Sequence, residues 1–271
     1  MIMDGRIFSF GGGVQSVAAL VLQAQGRVNY NAFVFANVGE DSENPATLAY
    51  LRDTVRPFAE AHGIRLAEVK RTFDGVERTL YQQLVSDAAD IPIPARMDNG
   101  APGNRKCTKV WKVDAVTMWL REQGITRATI GIGFSSDEMR RATPPEWTEI
   151  YKRPPLSTIR EYPLIDMGLN REACRALIHG AGLPIPPKSA CYFCPYTSRS
   201  QWVQMRQHAP QQFADAVALE ARINDKRAEM GKDAVYIHPA LQSLDRAVPN
   251  QLSLMDVWND DLECGSGYCG L

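Results

Sequence analysis

Short apolar runs alternate with helical periodicity along the first half of the chain. The runs 6–10, 31–36, 65–70 and 128–133 have strand length and are bounded by Gly, Asn or charged residues, so each predicts a β-strand. Between them, 14–25 places Val17, Leu20, Val21 and Ala24 on one face and predicts a helix. A second helix is predicted over 45–62, with Asn44 as N-cap and Pro45 at the first helical position. Strand, helix, strand, helix implies a parallel sheet with right-handed crossovers.

Two stretches interrupt this rhythm. Residues 91–105 are rich in Pro, Gly and Asn without periodicity and predict a long surface loop that delivers Arg105, Lys106 and Cys107 to the next helix. Residues 183–195 hold four prolines and the turn Cys191-Tyr192-Phe193-Cys194. Helical patterning then returns, with Phe213, Val217, Leu219 and Ile223 forming a stripe in 210–230. An acidic, glycine-containing tail over 256–271 carries two more cysteines, and no internal repeat is present. The expected fold class is α/β: a parallel twisted sheet flanked by helices over 1–195, with a helical C-terminal extension over 196–271.

Composition narrows the function classes. The 271 residues are 45% hydrophobic, enough for a sizeable core. The 30 Lys and Arg nearly balance the 31 Asp and Glu, which excludes the strong basic field of a non-specific nucleic-acid binder and leaves room only for local nucleic-acid contact. The apolar run 17–22 is far too short to span a bilayer, so a soluble, cytoplasmic protein without membrane contact is expected, and a homo-oligomer with it. In a reducing compartment six cysteines point to metal binding or thiol chemistry rather than disulfides.

The turn Ser9-Phe10-Gly11-Gly12-Gly13-Val14-Gln15-Ser16 lies where the first strand ends and the first helix begins, the position at which open α/β sheets bind ligands. Its glycines let a phosphate approach the backbone, and the N–H groups and dipole of the helix favour an anion. Ser9 and Ser16 can add hydroxyl donors. The turn lacks the Gly-Lys-Ser/Thr ending of a Walker loop and the spacing of a dinucleotide fingerprint. A plain strand-to-helix connection uses the same residues.

Cys191-Tyr192-Phe193-Cys194-Pro195 has the spacing that lets two thiolates meet one metal. Cys107 stands upstream at the end of the basic loop. Cys174, on the periodic face of 170–180, reads as a buried apolar thiol. The four histidines, His62, His179, His208 and His238, share no ligand-like spacing and read as structural.

Taken in order, these segments resemble the phosphoadenosine phosphosulfate (PAPS) reductase-like family of the PP-loop ATP pyrophosphatase superfamily, in its iron–sulfur branch. The turn from Ser9 to Ser16 is similar to a modified PP-loop. Asn37-Val38-Gly39-Glu40-Asp41 followed by Asn44-Pro45-Ala46-Thr47 resembles the acidic, proline-containing turn after the second strand, and Glu161 to Asp166 resembles a later segment preceding a helix. The resemblance implies an adenine-nucleotide α-hydrolase-like (PP-loop) sheet. It implies ATP, with Mg, or an adenylyl sulfonucleotide as ligand, held by Ser9, Gly11, Gly12, Gly13, Gln15, Ser16, Asn37 and Asp41.

The same resemblance implies a [4Fe-4S] cluster on Cys107, Cys191 and Cys194. This chain has Cys107 alone where the family shows adjacent cysteines, so Cys264 or Cys269 supplies any fourth ligand, with Cys269 assigned here. Glu263-Cys264-Gly265 resembles the family's C-terminal catalytic-cysteine motif, although Ser-Gly follows in place of Leu-His. A zinc site of Cys191, Cys194, Cys264 and Cys269 is the competing metal reading.

After the fourth predicted strand, only Arg140 matches the family's arginines toward a sulfonucleotide; the earlier positions hold Gly133 and Phe134. Asp137 and Glu138 can hold Mg²⁺ or a polar substrate, or can form a solvated helix start. Arg105, Lys106, Lys109 and Lys112 can steer an anion or form a solvated cationic face.

Three functions follow. In the first, ATP adenylates a substrate, and sulfur from a donor replaces AMP in a nucleic acid or small molecule. In the second, an adenylyl-sulfate or PAPS reductase uses Cys264 and a thioredoxin-type reductant. The third is a nucleotide-responsive metal-binding module without turnover.

Overall fold

A computed structural model of the protein describes residues 4–142, 149–153 and 156–251. β1 (Asp4–Phe10) leads through the glycine turn into α1 (Val14–Ala24). β2 (Ala32–Asn37) follows and is buried at every position, its apolar run 32–36 suiting a strand covered on both faces and Asn37 closing it. α2 (Pro45–Tyr50) begins where the Asn44 side chain accepts from the Ala46 N–H and Pro45 presets the first turn. It continues through a π-helical turn, Leu51–Val55, into α3 (Arg56–Ala61). Pro57 accounts for the widened turn: it has no N–H for the Asp53 carbonyl, and its ring presses on that carbonyl.

Next come β3 (Leu66–Lys70), the hairpin of β4 (Thr72–Phe73) and β5 (Val76–Glu77), α4 (Leu80–Val85) and β6 (Arg96–Met97). A π-helical turn, Cys107–Val113, opens α5 (Asp114–Glu122), which leads to β7 (Arg127–Ile132). β8 (Glu149–Arg153), β9 (Leu156–Glu161), α6 (Pro163–Asp166) and α7 (Arg171–Gly180) follow. The remaining elements are α8 (Arg199–His208), α9 (Pro210–Glu229), β10 (Val235–Tyr236) and α10 (Leu244–Ala247).

The main sheet runs β3-β2-β1-β7-β9-β8. The first five of these strands are parallel and β8 is antiparallel at the edge. The fold is therefore α/β, a parallel sheet with helices on both faces and further helices toward the C-terminus. On one face Phe8, Phe10, Phe33 and Phe35 pack with α1 and with Cys174 and Ile178 of α7. On the other, Ile7, Val34 and Ala128 meet Ala115, Val116 and Leu120 of α5. Among the described residues no helix is long and apolar enough to cross a membrane.

Contacts divide the described residues into two compact units. One takes its residues from Met1–Glu77 and Thr108–Ser189 and contains the main sheet; the other takes them from Arg78–Cys107 and Ala190–Cys269. In the second unit, 91–105 is more ordered than its composition suggests. Met97 N–H donates to the Ala101 carbonyl (2.9 Å), Gly103 N–H to Ala95 (2.8 Å), and β6 pairs with β10. These bonds pair backbone groups within the loop that an unstructured segment would leave to water. Trp202 and Phe193, both fully buried, belong to this unit's core.

Candidate functional site

The strand order fixes where a ligand fits in the sheet-containing unit. β2 lies on one side of β1 and β7 on the other, so the chain reverses its direction of growth at β1, and the crevice opens beyond the carboxyl ends of β1 and β7. The glycine turn occupies that end of β1. Gly12 has φ +77°, a conformation a β-branched residue resists. Gly11 N–H donates to Ser16 Oγ at 3.0 Å, and the Gly13 carbonyl accepts the first helical bond, from Val17 N–H, at 3.0 Å. α1 starts at Gly13 with no side-chain cap, so its leading N–H groups and positive dipole end face the turn.

The loop after β7 closes on the same place. Gln15 Nε2 donates to Glu138 Oε2 at 2.9 Å and to Ser135 Oγ at 3.3 Å. Glu138 also accepts from Arg141, whose guanidinium lies 4.4 Å over the Phe134 ring. Asp137 Oδ1 accepts from the Arg171 N–H at 3.2 Å. Both acids stand in the first turn of the 3-10 helix Ser136–Arg141, Asp137 exposed as in a solvated helix start and Glu138 half-buried against Gln15 and Arg141. Phe134 has a structural role, stacking on Tyr162 at 5.7 Å, while a Cβ at Gly133 would make only ordinary contact with Phe8, Gln15 and Ser16. Arg140 is exposed on the 3-10 turn Ser136–Arg141. Ser135 and Arg141 were not singled out from sequence; their roles appear only when this loop meets α1.

The turn after β2 is built around buried Asn37, which accepts from Gly39 N–H (2.8 Å) and donates to Glu68 (2.7 Å). Asp41 is exposed and accepts from the Ser42 hydroxyl at 2.9 Å. Ser9 stands in β1 in register with Val34 and Ile132. Glu43, also missed, is fully buried here; burial pushes its carboxyl pKa up, opposed by the Lys112 charge and the Val38 N–H.

Among the described residues, the second unit holds three cysteines. Cys194 N–H donates to the Cys191 carbonyl at 3.1 Å and Thr197 N–H to Cys194 at 3.0 Å, so the pair sits on consecutive tight turns. Cys107 is fixed through its N–H to Pro92 at 2.7 Å. All three are half-buried and outside any disulfide. Tyr196 brings two of them into one electrostatic neighbourhood. Burial raises its pKa; Arg105 and Arg96 oppose the shift, while Cys194 and Cys107 add to it. The Arg105 guanidinium lies 5.3 Å over the Tyr196 ring. Lys106 pairs with Asp90 at 2.8 Å.

A thiolate set of this kind suits an iron–sulfur cluster or zinc. Among the described residues, however, no three His, Cys, Asp or Glu side chains are drawn together closely enough to hold a metal ion. Cys264 and Cys269 lie outside the described residues. Cys174 is fully buried in the sheet-containing unit, and burial pushes its thiol up to about 11. His238 is buried and pushed down to about 4, first by burial and then by Arg199; its Nδ1 accepts from the Ala240 N–H at 3.1 Å, a structural role.

The class these features define is an α/β protein with a glycine-rich turn at a topological switch point and a group of cysteines in its second unit. No family model matches the chain, and no curated protein does. Solved structures do. A phosphoadenylyl-sulfate (PAPS) reductase from Candida auris, in a phosphate complex, is similar at 14% identity over 67% of this chain and 75% of its own, with a TM-score of 0.41. The U34-tRNA thiolase NcsA from Methanococcus maripaludis, with its [4Fe-4S] cluster, is similar at 14% identity over 82% of this chain and 72% of its own, with a TM-score of 0.43.

Proposed function

We propose that the chain is a PP-loop enzyme of sulfur metabolism that binds ATP at the glycine turn, adenylates a substrate and replaces the AMP with sulfur. The observation that carries this reading is the turn itself. It combines an uncapped helix start, a left-handed Gly12 and the Gln15 side chain bridging to the loop after β7, all at the switch point of a parallel sheet.

In the proposed reaction a substrate oxygen attacks the α-phosphorus of ATP, the bond to the β-phosphate oxygen breaks, and pyrophosphate leaves. A sulfide-level sulfur from a donor then attacks the activated carbon, the carbon–oxygen bond breaks, and AMP departs with its oxygen. Gly12, Gly13 and the first N–H groups of α1 would hold the phosphates, with Ser9, Gly11, Gln15 and Ser16 around them. Asn37 and Asp41 would frame the nucleoside end, Mg would accompany the phosphates, and Arg140 would meet a phosphate or the leaving group.

Cys107, Cys191 and Cys194 would hold a [4Fe-4S] cluster, with Cys269 as fourth ligand and Cys264 as the sulfur-handling thiol. With Cys107, Cys191 and Cys194 alone such a cluster would leave one iron open to sulfide, whereas Cys269 as fourth ligand would cap it. Thiolation of a nucleic acid or a small molecule is the substrate class proposed.

Anaerobically prepared protein tests both halves. Expected are calorimetric ATP binding, release of AMP and pyrophosphate with substrate and sulfide, and a brown colour with equal iron and inorganic sulfide. Reduction of an adenylyl sulfonucleotide to sulfite without ATP binding would replace this reading with the reductase. Colourless protein with one zinc, retained in Cys107→Ala, would remove the cluster.

A further inference from the structure

The glycine turn is held from outside as well as from within. The chain after α7 returns over it: Pro184 accepts from the Tyr50 hydroxyl at 2.6 Å, Lys188 accepts from Thr47 Oγ1 at 3.5 Å, and the Ser189 hydroxyl donates to the Gly11 carbonyl. Ser189 also lies against the other two glycines. A Cβ at Gly12 would meet Ser189 Oγ at 3.6 Å and Thr47 Cγ2 at 3.2 Å, and one at Gly13 would meet Ser189 Cβ at 3.8 Å.

A peptide unit is planar and trans, so its carbonyl and the following N–H point in opposite directions. Anchoring the Gly11 carbonyl on Ser189 therefore aims the Gly12 N–H away from the strap. Between two glycines, neither of which has a Cβ to restrict φ and ψ, this bond is a direct restraint on the peptide's rotation. The inner bond from Gly11 N–H to Ser16 Oγ fixes the preceding peptide, not this one.

We propose that Ser189 is a positioning residue of the nucleotide site: its hydroxyl locks the Gly11–Gly12 peptide so that the Gly12 N–H is presented to a phosphate group. The inference rests on the phosphate-loop reading above. Thr47 backs the strap by closing the space behind Gly12, and it is fully buried.

The test separates the phosphate end of the ligand from the nucleoside end. ATP, inorganic pyrophosphate and adenosine are titrated calorimetrically into the full chain carrying Ser189→Ala, Ser189→Thr or no change, with Tm measured for each. One lost hydrogen bond predicts about tenfold weaker binding of ATP and pyrophosphate to Ser189→Ala. Adenosine affinity and Tm are expected to stay unchanged, and Ser189→Thr, which keeps the hydroxyl, to restore phosphate binding. Equal weakening for adenosine, or failure of threonine to rescue a folded protein, would overturn the positioning role. Unchanged pyrophosphate affinity in Ser189→Ala, with Gly12→Val defective, would overturn it while leaving the phosphate loop intact. A wild-type chain that binds neither ATP nor pyrophosphate would overturn the loop reading itself.

Discussion

The glycine turn and the cysteine group solve different assembly problems. The turn is one contiguous stretch between β1 and α1, shaped by its own φ angles and by two short hydrogen-bonded closures, and the groups it would offer a ligand are backbone N–H groups. The cysteines come from two distant stretches, Cys107 and the Cys191–Cys194 turn, and the groups they would offer a metal are side chains. A site made of backbone is intolerant of added side-chain bulk and indifferent to side-chain chemistry. A site made of thiols is the reverse. Substitutions of opposite kinds should therefore break the two regions.

The largest effect is expected at the cysteines. Cys107→Ala, Cys191→Ala and Cys194→Ala should each lose iron and inorganic sulfide together, while Cys174→Ala keeps both, because its buried thiol belongs to the sheet core. Metal analysis of anaerobic protein checks this, and full iron retention in Cys107→Ala would separate Cys107 from the pair.

At the turn, Gly12→Val should weaken ATP binding by at least about 100-fold in a folded protein. The β-branched residue opposes φ +77°, its Cβ would sit 3.2 Å from Thr47 Cγ2, and its bulk blocks phosphate approach. Calorimetry on a variant with a native-like circular dichroism spectrum decides it; unchanged affinity would end the comparison.

Phe193 sharpens the contrast from the side of stability. It lies between the paired cysteines, fully buried and edge-on to Tyr192 at 4.8 Å. Phe193→Ala should cost about 3–5 kcal/mol, measured by denaturant unfolding. A loss below about 1 kcal/mol would mean that the cysteine turn is held by something other than its apolar anchor.

The smallest effect concerns Glu43. Burial raises its folded-state pKa above that of the unfolded chain, so its stabilising contribution is complete below the ordinary carboxylate range and falls as pH rises through the folded pKa. Glu43→Gln should therefore match the wild type near pH 4 and exceed it near pH 8, by about 2–4 °C per kcal/mol recovered. An equal difference at both pH values would assign the effect to shape rather than charge.

Four of the five parallel strands read directly from apolar runs: 6–10, 31–36, 65–70 and 128–133 became β1 (Asp4–Phe10), β2 (Ala32–Asn37), β3 (Leu66–Lys70) and β7 (Arg127–Ile132). The Asn44-Pro45 helix start was legible for the same reason, since capping and φ restriction act within a few residues. β8 and β9 were not, because Tyr151, Arg153, Ile159 and Glu161 give no sustained alternation in an edge hairpin. Of the candidate site, the glycine turn and the Cys191–Cys194 spacing were visible as local motifs, whereas Ser135, Arg141, Glu43 and Ser189 carried no signal of their own.

What the sequence determined by itself is whatever a short window encodes: which runs pair as strands, where α1 and α2 begin, and which residues are chemically able to cradle a phosphate or bind a metal. The tertiary structure alone decided which loops meet. It placed Gln15 against Ser135 and Glu138, brought Ser189 onto Gly11, and joined Arg78–Cys107 with the described residues from Ala190 on in one compact unit. The physical reason is range. Periodicity and capping depend on neighbours a few positions apart, but the approach of two loops over 120 or 178 residues of chain is set by how the sheet is ordered and covered, and no local pattern records that.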